Sequence, residues 1–280
     1  MASRVIIIGT GKLGSTLGYV LAQKNYQVYA YDRDRKKLKR FYQLIKKPLP
    51  KELPFKETKI IFITTQDQNI KEAYQEILPQ LTKGSLVIHC SGVLASNILK
   101  PPRGRKIIPI SLHPIQTFPK IITDHNPFSG IYFSLEGSKA ARTIILKLIN
   151  DLEANVIFLS PKDKPIYHLL LVIASNYLVS LMGAVKILGQ KIRLPEKKLF
   201  RLLEPLVLST WDNIKNLGLK NALSGPIERG DIATIQAHLK TLKKKAPELL
   251  PLYRVLGRET IKLATLPKQT KKILQDLLAG

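Results

Sequence analysis

Gly9, Gly11 and Gly14 stand in the spacing G-x-G-x-x-G within Val5-Ile6-Ile7-Ile8-Gly9-Thr10-Gly11-Lys12-Leu13-Gly14, a pattern suited to holding a pyrophosphate. Gly9 permits a tight turn, Gly11 removes the side chain that would keep phosphates off the backbone, and Gly14 lets a helix pack on the strand. Free N–H groups at the helix start then face the phosphates. An apolar strand precedes the glycines, a helical stretch follows over Ser15–Lys24, and a second strand comes next. This context makes Gly9, Thr10, Gly11, Lys12, Leu13 and Gly14 a dinucleotide-binding loop.

The second strand ends in Tyr31-Asp32-Arg33-Asp34-Arg35-Lys36. Asp32 lies about twenty residues beyond the glycines, where an acid accepts from the ribose 2′-OH of NAD. Arg33 follows it, and a guanidinium holds a 2′-phosphate when the acid turns away. NAD(H) and NADP(H) therefore stand level as cofactors. Two further strand ends, Thr64-Thr65-Gln66-Asp67 and His89-Cys90-Ser91-Gly92, reach the same crevice. Thr65 and Asp67 are candidates for the cofactor, and Ser91 for the substrate, against plainer roles in capping and turning.

Hydride transfer to a carbonyl leaves an alkoxide, so a proton donor and groups that orient the carbonyl are required. Of the five histidines, His113 ends a strand ahead of Pro114, and His168 opens the helix that carries Ala174-Ser175-Asn176. Eight residues separate His168 from Asn176, which places both toward one side of a regular helix. His168 is the first candidate acid, His113 the alternative, and Asn176 and Ser91 orient the carbonyl. His89 and Cys90 end an apolar run and read as core. In Ala222–Asp231, Asp231 can cap the next helix, and Arg229 is suited to a bidentate grip on a substrate carboxylate.

These residues need a scaffold. Strands are expected at Arg4–Gly9, Gln27–Tyr31, Lys59–Thr64, Ser85–His89, Lys106–Leu112, Ile131–Leu135 and Asn155–Leu159, alternating with helices, the last pair flanking Ser138–Glu153. Such alternation implies an α/β fold with a Rossmann-type parallel sheet covered on both faces. After Ser160–Pro165 the pattern turns to long helices: Ile166–Leu188, Pro195–Leu217, Asp231–Lys244, Glu248–Leu263 and one in the tail. The expected domains are a dinucleotide-binding domain over 1–160 and an all-helical substrate or dimerisation domain over 161–280.

A chain of 280 residues with 45% hydrophobic residues can bury a sizeable core. Its single cysteine has no partner for an internal disulfide, and no Cys/His cluster suggests a metal. Val5–Ile8 is too short for a signal core or membrane span, so the expectation is a cytoplasmic protein without membrane association. The formal charge of +25 is spread over short clusters without interleaved aromatics, which favours a solvated basic surface over a nucleic-acid footprint. A small anionic substrate and a homodimer built on long apolar helices are the expected partners.

The motifs Gly9–Gly14, His89-Cys90-Ser91-Gly92, Ser111-Leu112-His113-Pro114 with Phe118, Tyr167-His168 with Ala174-Ser175-Asn176, and Ala222–Ile227 with Arg229-Gly230-Asp231 occur in this order. Together they resemble the two-domain Rossmann-like oxidoreductases whose helical C-terminal domain long lacked a known function. That family is similar, more distantly, to ketopantoate reductase, pyrroline-carboxylate reductase and the 3-hydroxyisobutyrate dehydrogenases. The resemblance implies NADPH-dependent reduction of 2-dehydropantoate to pantoate in pantothenate and coenzyme A biosynthesis. The lysine that many of those relatives carry as an acid on the interdomain helix has no counterpart between Tyr167 and Val185, where His168 and Asn176 are the polar groups. NADP-using relatives often carry a small polar residue where Asp32 stands. A dinucleotide-binding redox sensor without turnover is the rival from another class.

Overall fold

The computed structural model describes residues 3–280. Seven strands form one sheet: β1 (Arg4–Ile8), β2 (Gln27–Tyr31), β3 (Ile60–Ile63), β4 (Leu86–His89), β5 (Ile108–Pro114), β6 (Tyr132–Gly137) and β7 (Asn155–Phe158), in the order β2-β1-β3-β4-β5-β6-β7. The helices of this region are α1 (Lys12–Gln23), α2 (Arg35–Leu44), α3 (Ile70–Ile77), α4 (Arg142–Asp151) and α5 (Lys164–Leu171). The Rossmann-type α/β class expected from the alternating pattern is thus observed.

Successive strand residues point to opposite faces, and in β1 both faces are covered. Val5 and Ile7 join a core with Leu17 and Leu21 of α1 and Phe41 of α2, whereas Ile6 and Ile8 join one with Ile70, Tyr74 and Ile77 of α3. The side chains of Val5, Ile6, Ile7 and Ile8 are essentially inaccessible, and each such burial contributes about 1.5–3 kcal/mol. That double cover explains the continuous apolar run. From β1 the chain crosses to β2 on one side and to β3 on the other, so the carboxyl ends of β1 and β3 flank the topological switch point where ligands bind in such sheets.

One expectation needs correcting: the sheet is not wholly parallel. β6 runs antiparallel to β5, with Leu112 opposite Leu135, and β7 then runs parallel to β6. Residues 115–131 contain no helix, and a parallel neighbour would need a crossover of a dozen or more residues, usually helical.

The chain divides into two compact units, Met1–Ile173 and Ala174–Gly280. The 161–163 turn and α5 therefore lie with the sheet, unlike the 160/161 boundary read from the proline-bearing stretch. Lys164 and Tyr167 of α5 are buried against strands of the sheet unit. The second unit contains α6 (Tyr177–Lys191), α7 (Glu196–Ala222), α8 (Ile232–Lys245), α9 (Leu250–Leu263) and α10 (Lys268–Ala279). Its core lies among α8–α10, where Ile235, Leu239, Ile261, Leu274 and Leu278 are buried. By contrast, α6 and α7 each bury a single residue, Gly189 and Leu199, against one another. Gly218, at φ 75°, interrupts α7 next to Leu217, where that helix was expected to end. A five-residue π-turn, Val172–Asn176, joins α5 to α6. Within Pro161–Lys191 an 18-residue window reaches a mean hydropathy of 1.8, long and apolar enough by length and composition to cross a membrane.

Candidate nucleotide and proton-transfer site

The glycine loop has the geometry its sequence requires. Gly9 adopts φ +101°, a left-handed conformation that other residues rarely take. A Cβ on Gly14 would lie 2.0 Å from the Gly9 carbonyl oxygen, whereas one on Gly11 would meet nothing within 4 Å. Gly9 thus shapes the turn, Gly14 permits close packing, and Gly11 leaves open space for the pyrophosphate beside the start of α1. Lys12 and Leu13 form the first turn of that helix. Thr64 fixes the loop from β3 by donating its hydroxyl to the Gly9 carbonyl at 2.6 Å. Beside Gly9, the buried Thr65 hydroxyl has no protein partner. An open backbone and an orphan hydroxyl at the switch point fit a dinucleotide.

At the end of β2, Asp32 accepts from the Thr10 amide at 2.6 Å and the Thr10 hydroxyl at 2.9 Å through Oδ2, and from the Asp34 amide at 2.9 Å through Oδ1. Arg33 does not point into the loop. Its guanidinium pairs with Glu72 and Glu76 of α3, and hydrogen bonds to those two carboxylates raise its pKa above the ordinary guanidinium range. Asp34 caps α2 by accepting from the Lys36 and Lys37 amides.

A second cluster lies at the ends of β4 and β5. A Cβ on Gly92 would lie 2.6 Å from His168 and 3.1 Å from His113, so the two imidazoles converge on this glycine. His113 Nδ1 is 2.9 Å from the Tyr167 hydroxyl. Burial, with Lys164 next, lowers the His113 pKa to about 4. It is therefore a neutral hydrogen-bonding group near pH 7, and its reading as the alternative acid is set aside. Asn176 lies in the π-turn at the start of the second unit and is exposed. The regular helical period assumed between it and His168 is interrupted there.

Ser91 also departs from its expected role. Its hydroxyl donates to Asp67 at 2.7 Å and accepts from the Leu94 amide at 3.0 Å and the Val93 amide at 3.3 Å. It ties the β3 and β4 loops together, with no hydrogen left to orient a carbonyl. Asp67 is the other half of that tie. His89 is core, as expected: Nδ1 accepts from the Ser91 amide and Nε2 faces the Ala95 carbonyl, which sets the neutral tautomer. Burial of the Cys90 thiol raises its pKa to about 12.

The residue that the sequence reading missed is Lys164. It is 0% exposed, and its Nζ donates to the Ser91 carbonyl at 3.0 Å and to the Ser111 hydroxyl at 2.6 Å. Burial lowers its pKa to about 8, opposed by the charge of Glu136. The sequence holds a signal: Lys164 precedes Tyr167 by three residues and so shares its helix face. In the second unit Asp231 caps α8, accepting from the Thr234 amide and hydroxyl. Arg229 is exposed, and its guanidinium has no partner among the described residues.

Residues 4–99 match the NAD binding domain of 6-phosphogluconate dehydrogenase, and residues 131–260 match a domain of unknown function, DUF2520. No curated protein sequence matches the chain. Among solved structures, a Bacteroides fragilis protein assigned as an NADP oxidoreductase shares 23% identity, with 92% of this chain and 98% of that one aligned at a TM-score of 0.76. The imine reductase from Myxococcus stipitatus in complex with NADP+ shares 16% identity over 98% and 99%, at a TM-score of 0.65. Pyrroline carboxylate reductase of Plasmodium falciparum with NADP bound shares 16% over 98% and 99%, at 0.60. The fold is that of NAD(P)-dependent reductases, and a nicotinamide dinucleotide is the cofactor it is built for.

Proposed function

We propose that this chain, which joins an NAD-binding domain to a DUF2520 domain, is an NAD(P)H-dependent reductase of a small 2-keto acid, with 2-dehydropantoate as the leading substrate. The observation that carries this reading is the convergence of His113 and His168 on Gly92, at the same strand-end edge as the glycine loop. A nicotinamide dinucleotide held on the Gly9–Gly14 loop would supply the hydride that reduces the carbonyl carbon. The chain's own groups manage the oxygen. His168 gives a proton to the nascent alkoxide, while neutral His113, held by Tyr167, donates or accepts a hydrogen bond without carrying charge.

The test is turnover of 2-dehydropantoate with NADH and with NADPH, followed by loss of reduced-cofactor absorbance, beside a cyclic imine and other 2-keto acids. His168→Asn is expected to lower kcat about 10²–10⁴-fold while the cofactor still binds. Cofactor binding without turnover of any carbonyl or imine would instead indicate a redox sensor.

The active form proposed is a cytoplasmic homodimer. α7 has 27 residues, of which one is buried, and Leu202, Leu206, Leu208 and Trp211 are exposed. Charged residues Glu196, Lys197, Arg201, Glu204 and Asp212 interleave with them, a pattern that suits a protein partner rather than lipid. A second copy of the chain offers the same apolar surface, and a two-fold interface is self-complementary by construction.

A further inference from the structure

We propose that the adenosine end of the nucleotide site selects NADH over NADPH, with Asp32 as the specificity-determining residue and the Arg33–Glu72–Glu76 cluster as its support. The inference rests on the reading of the glycine loop as a nicotinamide dinucleotide site.

The sequence leaves two routes open. In the first, the acid at the end of β2 accepts from the ribose hydroxyls. In the second, it swings aside and the neighbouring guanidinium takes the 2′-phosphate. The structure weighs against the second route on both counts. Asp32 is not free to swing, since its two oxygens accept three hydrogen bonds, two from Thr10 inside the glycine loop and one from the Asp34 amide. Turning it away would leave the Thr10 amide without its acceptor. An ionised carboxylate has about four acceptor positions, so room remains for a ribose hydroxyl, which donates. A 2′-phosphate has no hydrogen to offer and carries about two negative charges of its own.

Arg33 is also engaged. Its guanidinium pairs with two carboxylates, Glu72 and Glu76 on α3, so a 2′-phosphate would have to compete with both. Asp34, next in sequence, adds a third carboxylate, held in place by the Lys36 and Lys37 amides. The other cations of these segments are Lys12, exposed at the start of α1, and Arg35, Lys36 and Lys37 on the exposed first turn of α2. None of them removes the fixed negative charge of Asp32.

Titration of the purified full-length protein with NADH and NADPH, monitored by nicotinamide fluorescence or calorimetry, reads the preference without any substrate. NADH is expected to bind about tenfold more tightly or better, the consequence of a like-charge contact in a partly desolvated crevice. Asp32→Asn, close in shape but uncharged, is expected to lower the NADH-to-NADPH affinity ratio. The double variant Glu72→Gln/Glu76→Gln, which leaves the glycine loop untouched and releases Arg33, is expected to lower it as well. Equal affinities, or tighter NADPH, in the unsubstituted protein would overturn the inference while leaving the reductase reading in place. Failure of both nucleotides to bind would overturn both.

Discussion

The Nζ of Lys164 donates to the hydroxyl of Ser111 at 2.6 Å in a space closed to solvent, tying the first turn of α5 to the middle of β5. The same ammonium donates to the Ser91 carbonyl on the β4 loop. Ser91 in turn tethers Asp67 on the β3 loop. One buried cation thus links the loops after β3 and β4 to the middle of β5 and sets the position from which His168, one helical turn later, faces Gly92.

Removing that cation exposes its cost and its use separately. Lys164→Ala leaves the Ser91 carbonyl and the Ser111 hydroxyl without a donor and opens a cavity, at a cost of about 2–4 kcal/mol. Lys164→Met refills the space and should recover much of the loss, because burying a charge is itself unfavourable. The pH dependence has a definite sign. The pKa of Lys164 is about 8 in the folded chain against the ordinary 10.5. Below about 8 the group is charged in both states, and the full burial cost is present. Between 8 and 10.5 the unfolded chain holds more protons, so this group makes stability rise with pH. Denaturant titrations across that range should show this rise in the native protein and lose it in Lys164→Met.

The three glycines of the loop predict three different phenotypes. Gly14→Ala places a Cβ 2.0 Å from a backbone oxygen, a clash expected to cost about 2–4 kcal/mol. Gly9→Ala strains a left-handed residue, for about 1–2 kcal/mol. Gly11→Ala meets no atom, so its stability should stay within about 0.5 kcal/mol while affinity for NADH falls by about tenfold or more. Melting curves paired with nucleotide titrations separate the three.

A buried imidazole, His89, and a half-buried one, His113, make the sheet unit sensitive to acid. Burial holds His89 and His113 at about 4, with Lys164 the next contributor to both, against the ordinary 6.5. As pH falls from 6.5 to 4, the unfolded chain takes up protons that the folded one refuses, so stability falls with acidification. The loss should be on the order of 1–3 kcal/mol per histidine. His113→Asn should flatten the curve of Tm against pH over that window by about one proton, and an unchanged slope would show that His113 titrates normally.

Much of this architecture could be read directly from the sequence, because the controlling signals were local. Val5–Ile8 and Ile60–Ile63 are buried on both faces and leave continuous apolar runs, and the role of each loop glycine follows from its spacing. The reversal of β6 was not legible, since Ile131–Leu135 has the same apolar character in either direction and only the lack of a helix in residues 115–131 hinted at it. Ser91 was placed at the right edge, but a sequence does not show that a hydroxyl is already consumed by Asp67, Val93 and Leu94. Lys164 was overlooked for a related reason. A lysine between two prolines looks like an exposed linker residue, and its burial depends on partners 53 and 73 positions away.

The second unit predicts its own assembly. Trp211 is 59% exposed, and Leu202, Leu206 and Leu208 on the same helix are more than half exposed, so the chain alone leaves α7 without a core. If a second copy supplies that core, Trp211→Lys and Leu206→Lys should convert the dimer to monomer and cost on the order of 2 kcal/mol or more each at a buried interface. The core of α8–α10, built from Ile235, Leu239, Ile261, Leu274 and Leu278, should survive either substitution. Light scattering with size-exclusion chromatography gives the mass, and the emission of Trp211, the only tryptophan, reports its own side of α7 independently. If the proposed dimer buries it, its emission is expected to be blue-shifted and to move to the red on dilution through the dissociation range. A native protein that elutes as a monomer with solvent-like tryptophan emission at all concentrations would refute the assembly.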